Sequence, residues 1–303
     1  MTIDTYYPVL IPTLCRFEHF KRCVETLSAC THADKTTLYI ALDYPLKEDH
    51  WEGYKNISSF IDNIKGFENV IVLKREKNLG PAQNIKRAKD VIFDKYDAYI
   101  FSEDDNEFSP NFLDYMNKCL NRYKDDPSIY AVCGYNFPVD FGDYNKNIYF
   151  NHLYSAWGVG RWRYKEFPYE ISSVKSILGS FRHVIRIYYY NPKYLLYLLR
   201  MVQKKVVYGD LLVCAYSIAQ KKLNVFPTVS KVRNHGHDGS GQNSTVIGKN
   251  TYETQVIDQE LFFDVDDIEV KRLKCQKMDK YLDISLGQKV KLIPKLLLYW
   301  IKQ

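Results

Sequence analysis

The chain has 303 residues, 46% of them hydrophobic and 26% charged, with a formal net charge of +6. This suits a soluble globular protein with a sizeable core, built as one large domain or two small ones. So mild a positive excess fits an anionic ligand or an anionic membrane surface and does not by itself imply nucleic acid, and no apolar run of about 18 residues marks a transmembrane span.

In chain order, "YYPVLIPT" reads as a strand ending at Pro12, and "RFEHFKRCVETLSAC" places Phe17, Phe20, Val24 and Leu27 on one helical face. "TLYIAL" is a second strand followed by Asp43, and "HWEGYKNISSFIDNIKG" is helix-like, stopping at Gly66. "NVIVLK" is a third strand. "NLGPAQNIKRAKDVIF" opens a helix with Gly80 and Pro81. "DAYIF" is a fourth strand, "SPNFLDYMNKCLNRY" a helix with Ser109 as its expected cap, and "SIYAVCG" a fifth strand. Strand–helix alternation of this kind predicts an α/β fold, a mostly parallel sheet flanked by helices. Ligands of such sheets bind beyond the strand carboxyl ends. No G-x-G-x-x-G follows the first strand and no G-x-x-x-x-G-K-[ST] occurs, which argues against a standard dinucleotide site or P-loop.

After residue 135 the pattern loosens. "NFPVDFGDYNKNIYFN" reads as loop and short strands, and "SAWGVGRWRYKEF" is rich in Gly and Trp. "NPKYLLYLLRMVQKK" and "GDLLVCAYSIAQKKL" are helices, "NVFPTVSKVRN" is strand-like, and "HGHDGSGQNST" is a glycine-rich loop. In the tail, Lys289, Lys291, Lys295 and Lys302 surround the apolar block Leu296–Ile301, a segment suited to an anionic interface or to docking on the protein itself. The seven cysteines are odd in number and form no C-x-x-C, which fits reduced, mostly buried thiols in a cytosolic chain. The N-terminus lacks the pattern of a signal peptide.

The sharpest feature is the end of the fourth strand, where Ala98–Phe101 gives way to Glu103, Asp104 and Asp105, with Glu107 just beyond. Such a cluster costs stability unless a cation or water screens it. Hard divalent cations favour carboxylates together with ligand phosphates, so the triplet is either a cation–diphosphate site or a solvated acidic turn. Asp210, opening a helix, is either an N-terminal cap or a positioned base. The aromatic faces of Trp157 and Trp162, beside Gly158 and Gly160, suit sugar stacking as well as core packing.

"YIFSEDDNEFSPNFLDYM" resembles the D-x-D region of GT-A fold glycosyltransferases, above all bacterial family-2-like sugar transferases. It is more distantly similar to Golgi N-acetylglucosaminyltransferases with an E-D-D motif. "PVLIPTLCRFEHFKRCVETL" resembles their first strand, turn and helix; "EKNLGPAQNIKRA" their N-x-G segment; "YSAWGVGRWRYKEF" a Trp-Gly-x-x-x-Trp block; and "SKVRNHGHDGSG" a terminal N-x-G-x-D-G-S-G block. The likeness runs over roughly residues 5 to 243.

The resemblance implies a GT-A catalytic domain over 1–245, with a nucleotide-binding half to about 105 and an acceptor half over 106–245. Residues 246–303 would form a C-terminal helical, membrane-proximal extension. It implies a metal-dependent, inverting transfer from a UDP- or GDP-linked sugar to a glycan or lipid-linked oligosaccharide, in bacterial surface polysaccharide synthesis. Mn2+ or Mg2+ is the expected cofactor. A cytoplasmic location, peripheral contact with the membrane and no nucleic-acid partner are expected as well. Pro12, Thr13, Arg16, Asp43, Asn84, Glu103 and Asp104 would bind the donor. Asp105 would bind the metal, with His237 as a further ligand, although relatives carry apolar residues near the latter position. Asp210 would be the base; Trp157, Gly158, Trp162, Asp238 and Ser240 would face acceptor or sugar. The competing readings are a sugar nucleotidyltransferase, disfavoured because "PTLCRFEHF" contains no glycine, and a non-catalytic carbohydrate-binding relative.

Overall fold

The computed structural model describes residues 3–239, 255–273 and 284–301. Its strands are β1 (Val9–Thr13), β2 (Thr37–Leu42), β3 (Asn69–Val72), β4 (Ala98–Phe101), β5 (Asn106–Phe108), β6 (Ile129–Cys133), β7 (Ile148–Asn151), β8 (Val159–Trp162), β9 (Leu223–Pro227) and β10 (Val232–Asn234). The helices are α1 (Phe17–Ser28), α2 (Trp51–Ile61), α3 (Gly80–Phe93), α4 (Phe112–Tyr123), α5 (Ile171–Gly179), α6 (Phe181–Tyr190), α7 (Lys193–Lys204), α8 (Gly209–Ala219) and α9 (Leu286–Ile301).

Eight strands form one sheet in the order β3-β2-β1-β4-β8-β6-β9-β7. The block β3-β2-β1-β4 is parallel throughout, as is β6 with β9, whereas β8 lies antiparallel between β4 and β6 and β7 antiparallel to β9. The α/β expectation therefore holds, with helices on both faces. Alternation of side chains along each strand divides the core in two. Val9 and Ile11 of β1 join α1, α2 and α4 on one face. Leu10 of β1 and Tyr39 and Ala41 of β2 join α3 and α5–α9 on the other. Burial on both faces explains why "TLYIAL" reads as a continuous apolar run: all six residues are buried.

Four expectations are corrected. The helix expected from Ser109 begins at Phe112 with Asn111 as its N-cap; Ser109 instead accepts a backbone hydrogen bond from Phe112 and donates its hydroxyl to Asn111. Within "SAWGVGRWRYKEF", residues 159–162 form a central strand, and Trp162 is completely buried against the α4 side of the sheet. Trp162 is thus a core residue and not part of an acceptor-binding wall. Gly158 is likewise buried: at φ +63° a Cβ there would approach Phe112 and Val232 to 2.8 Å, so its missing side chain serves packing. Finally, the extension expected to be helical is helical, among the described residues, only in α9. Residues 255–273 run as an irregular strap over the α1–α4 face, where Phe263 packs on Tyr115 at 4.9 Å between ring centres and its N–H donates to Asp114 at 2.7 Å. Helices α5 and α6 lie in a stretch that carried no sequence expectation.

The described cysteines (15, 23, 30, 119, 133 and 214) are free thiols, five of them buried, and Cys275 lies outside the described residues. No helix among the described residues is long and apolar enough to cross a membrane.

Trp162→Ala should leave a large internal cavity and lower the unfolding free energy by about 3–5 kcal/mol. Urea denaturation checks this, and the half-buried Trp157→Ala is the comparison, expected to lose less.

Candidate functional site

A cleft of about 720 Å³ opens beyond the carboxyl ends of β1, β2 and β4. Its lining comes from the β1–α1 turn, the loop after β2, the start of α3, the acid triplet and residues 234–237. Parallel strands place their carboxyl ends and the loops after them on one edge, which is why segments distant in sequence converge there.

The acid triplet is held by a charge that the chain itself supplies. Arg16 donates from Nη2 to Asp104 Oδ1 and lies 2.8 Å from Asp105 Oδ2 through Nη1. Thr13 donates to Asp104 Oδ2 at 2.9 Å. Burial opposes charge on Arg16, but Asp104 and Asp105 outweigh it and raise its pKa further. Burial also raises Asp104, against the pull of Arg16 and Thr13. Among the described residues Glu103 forms no ion pair of its own: burial first, then the charges of Asp105, Asp210 and Asp104, push its carboxyl up to about 8 against the charge of Arg16. Removing one member of a buried pair of this kind typically costs about 3–5 kcal/mol, because the remaining charge is stranded.

Pairing of β5 with β10 carries the chain's terminal block to these carboxylates. The strands are antiparallel, with Asn106 opposite Asn234 and Glu107 opposite Arg233. Asn234 donates to Asp105 Oδ1 at 2.7 Å and to Asn106 at 3.0 Å. The His235 N–H donates to the Asp105 carbonyl at 2.9 Å. Glu107 belongs to a separate group: His235 Nε2 lies 2.6 Å from it and Arg233 Nη1 3.3 Å. That hydrogen bond with His235 and, against burial, the charge of Arg233 hold Glu107 below the usual carboxylate range.

Gly236 passes so close to the triplet that a Cβ would fall 2.1 Å from Asp105 Oδ2. His237 follows it into the cleft, its ring 5.6 Å from that of Trp157, which in turn packs edge-on to Tyr135 at 4.7 Å. Asp238 departs from its expected place: it lies 2.9 Å from His19 Nε2 of α1 and does not line the cleft. Ser240 lies outside the described residues.

On the opposite wall, Asp43 Oδ1 accepts backbone hydrogen bonds from Tyr44 and Leu79, both at 2.9 Å. Asn84 lines the cleft too, but its amide ties α3 to β2 through the Ala41 carbonyl at 2.8 Å and accepts from Arg75 at 2.8 Å. Pro12 completes this side. Asn78, the asparagine of the N-x-G segment, faces the cleft as well, and so do Lys47 and His50, which were not singled out from sequence. The only signal of Lys47 and His50 is position, after β2 at the carboxyl edge.

Asp210 opens α8 but does not cap it. Its Oδ2 accepts from the Ala156 N–H at 3.1 Å, and the N-cap residue, Tyr208, makes no side-chain cap. Asp210 is an exposed residue, yet partial desolvation by the protein around it pushes its carboxyl up to about 6, against the Ala156 hydrogen bond and the charge of Arg161. Ala156 adjoins Trp157, so the carboxylate stands at the border of the cleft.

Among the described residues no three His, Cys, Asp or Glu side chains gather to cage a metal. The donors that do converge on the cleft are two aspartates, Asp104 and Asp105, with Arg16 and the Gly236 backbone close against Asp105 Oδ2. This fits Mg2+ or Mn2+ held by one or two carboxylates and completed by ligand phosphate and water, and does not fit a closed all-protein site.

No protein-family model and no curated protein matches the sequence. Among solved structures, mannosyltransferase PcManGT from Pyrobaculum calidifontis, in complex with GDP-Man and Mn2+, is 11% identical over 71% of this chain and 69% of its own, with a TM-score of 0.41. S. aureus TarS 1–349 in complex with UDP-GlcNAc is 12% identical over 78% of this chain and 61% of its own, with a TM-score of 0.40. The chain thus spans about three fifths of TarS 1–349. At these scores the likeness carries no functional argument.

Gly236→Ala should force Asp105 away from Arg16 and Asn234, costing about 1–3 kcal/mol as overpacked substitutions do. A lowered thermal midpoint for the isolated protein is the expected reading; an unchanged midpoint would show that the loop yields without cost.

Proposed function

We propose that the chain is a metal-dependent, inverting glycosyltransferase of the GT-A type, moving a sugar from a nucleotide-sugar donor to a glycan or lipid-linked acceptor in surface polysaccharide synthesis. One observation carries this reading: Asp104 and Asp105, at the carboxyl end of β4, share a cleft with the β1 turn, Asp43 and Gly236, while Asp210 stands at its border.

In this reading Asp43 and the Pro12–Thr13 turn hold the nucleoside. Oδ1 of Asp43 is occupied by two backbone N–H groups, which leaves Oδ2 for a ribose hydroxyl. Asp105 would hold the divalent cation, with His237 as a second candidate from the same cleft. When bound, the ion supplies positive charge against the diphosphate leaving group. Arg16 balances the carboxylates in the isolated protein and is free to re-partner with phosphate oxygens, to which a guanidinium is well matched. Asp104 would face the ribose or the donor sugar and Glu103 the nucleotide side, and Trp157 would offer its ring to a sugar face.

Asp210 is the base. It takes the proton of an acceptor hydroxyl while that oxygen bonds to the anomeric carbon. The bond from that carbon to the diphosphate oxygen breaks, and the nucleoside diphosphate leaves with the electron pair. Attack from the side opposite the leaving group inverts the anomeric centre. A carboxyl with pKa about 6 is ionised at neutral pH and still basic enough to accept the proton.

Nucleotide sugars at a hundredfold excess over Kd should stabilise the protein by about 2.7 kcal/mol. A thermal-shift screen with and without Mn2+ should show this for one donor class, and Asp105→Ala should remove the cation's share. Equal metal-dependent binding by that variant rules out the assignment of Asp105.

Asp210→Asn should lower turnover by roughly 10²–10⁴ while donor binding persists. In the unaltered enzyme the base must be deprotonated, so kcat/KM should fall about tenfold per unit as pH drops below about 6. A pH–rate profile flat across that range would remove Asp210 from the mechanism.

A further inference from the structure

The sheet face away from α1 and α4 is covered by α5–α8 and α9, and its outer surface combines two features that rarely coincide by chance. The first is charge. Residues 171–209 contain seven Lys or Arg and no Asp or Glu, and residues 284–303 contain four more and again no acid. These two stretches hold more than the entire excess of +6, so the rest of the chain is net acidic.

The second feature is exposed apolar surface on the same elements. Helix α9 docks through Leu292 and Leu296, both buried, and through Trp300, whose indole N–H donates to the Leu178 carbonyl of α5 at 2.8 Å. Its opposite side presents Val290, Ile293, Leu297 and Ile301, spaced by three or four residues, with Ile301 80% exposed. On α6, Phe181, Ile185 and Tyr189 are also exposed, and the Phe181 ring lies 5.9 Å from that of Trp300. The exposed side chains of α6 therefore begin beside α9, at that pair of rings.

From this we infer that the α6–α9 surface docks on an anionic lipid bilayer. Docking helices of water-soluble proteins bury their apolar side and turn a polar one outward. Here α9 is apolar on both sides, with Lys291 and Lys295 between. Aliphatic side chains entering the acyl boundary with lysine and arginine among them is the physical signature of a helix lying in the interface plane. An excess of basic charge selects anionic headgroups over neutral ones. Between α7 and α8 the chain exposes two further apolar side chains, Val206 and Tyr208. The inference goes beyond the transferase reading and needs no turnover.

The test is co-sedimentation of the full chain with vesicles of phosphatidylcholine alone or mixed with phosphatidylglycerol. Binding should require the anionic lipid and weaken with salt. Ile293→Ser/Leu297→Ser/Ile301→Ser should weaken it by more than about tenfold, and Phe181→Ser/Tyr189→Ser should weaken it too. Lys291→Gln and Lys295→Gln should each cost about fivefold. All these positions are exposed, and an unchanged thermal midpoint verifies each variant's fold. No vesicle binding, or equal binding to neutral vesicles, overturns the proposal. So does self-association in lipid-free solution, measured by sedimentation velocity, that the triple substitution abolishes, since a second copy would then be the occupant. Loss of transfer activity with intact vesicle binding would refute the transferase reading and leave this one standing.

Discussion

Four carboxylates fall within five residues, 103–107, and much of the molecule is arranged to make that tolerable. Arg16 spans Asp104 and Asp105, while Arg233 and His235 take Glu107. Glu103, on which burial and its acidic neighbours outweigh the charge of Arg16, is pushed towards its neutral form. In a partly desolvated turn the mutual repulsion of these groups would otherwise exceed what the surrounding hydrogen bonds return. The β1–α1 turn must therefore sit where Arg16 reaches β4, and β10 must lie beside β5. The cleft is the space left between these two obligations.

The same arrangement separates rigid from adjustable parts. Asp104 and Asp105 follow a central strand and are pinned from both sides, by Thr13 and Arg16 and by Asn234. Lys231, at the start of β10, is paired with Asp258 of the strap, and Asn111 at the head of α4 bonds the same carboxylate. The strap thus ties β10 to α4 behind the site. On the cleft side, residues 236–238 touch the floor, the Trp157 wall and α1 in three successive residues. A site with a fixed acidic floor and a wall drawn from the late part of the chain suits a ligand whose anionic end sits deep and whose remainder reaches outward.

The sheet's other face shows a different economy of charge. Arg161 of β8 is fully buried there, stacked over Tyr99 and Tyr169 and within reach of Glu166, and it lowers the Asp210 carboxyl as burial raises it. Residues 171–209 and 284–303 of the helical layer carry basic side chains and no acidic ones. Acid is concentrated at the cleft and base on the back layer, so a mild net charge conceals two opposed surfaces.

Local pattern was enough for β1 to β4, β6, and helices α1 to α4, α7 and α8, because alternation and 3.6-residue periodicity are written in adjacent residues. The parallel order of the first strands followed from that alternation, and with it the edge at which Asp43, Glu103, Asp104 and Asp105 lie. Strand β8 was not legible: "VGRW" has four residues, a glycine and an arginine, and becomes a strand only because β4 and β6 supply hydrogen bonds on both sides. For the same reason the sequence left Trp162 open between sugar stacking and core packing, and the sheet decided for the core. Sequence could show that the triplet needs a counter-charge. That Arg16 provides it, across 88 residues, and that Asn234 arrives from 129 residues away, was decided by tertiary structure alone, because charge neutralisation depends on distance in space.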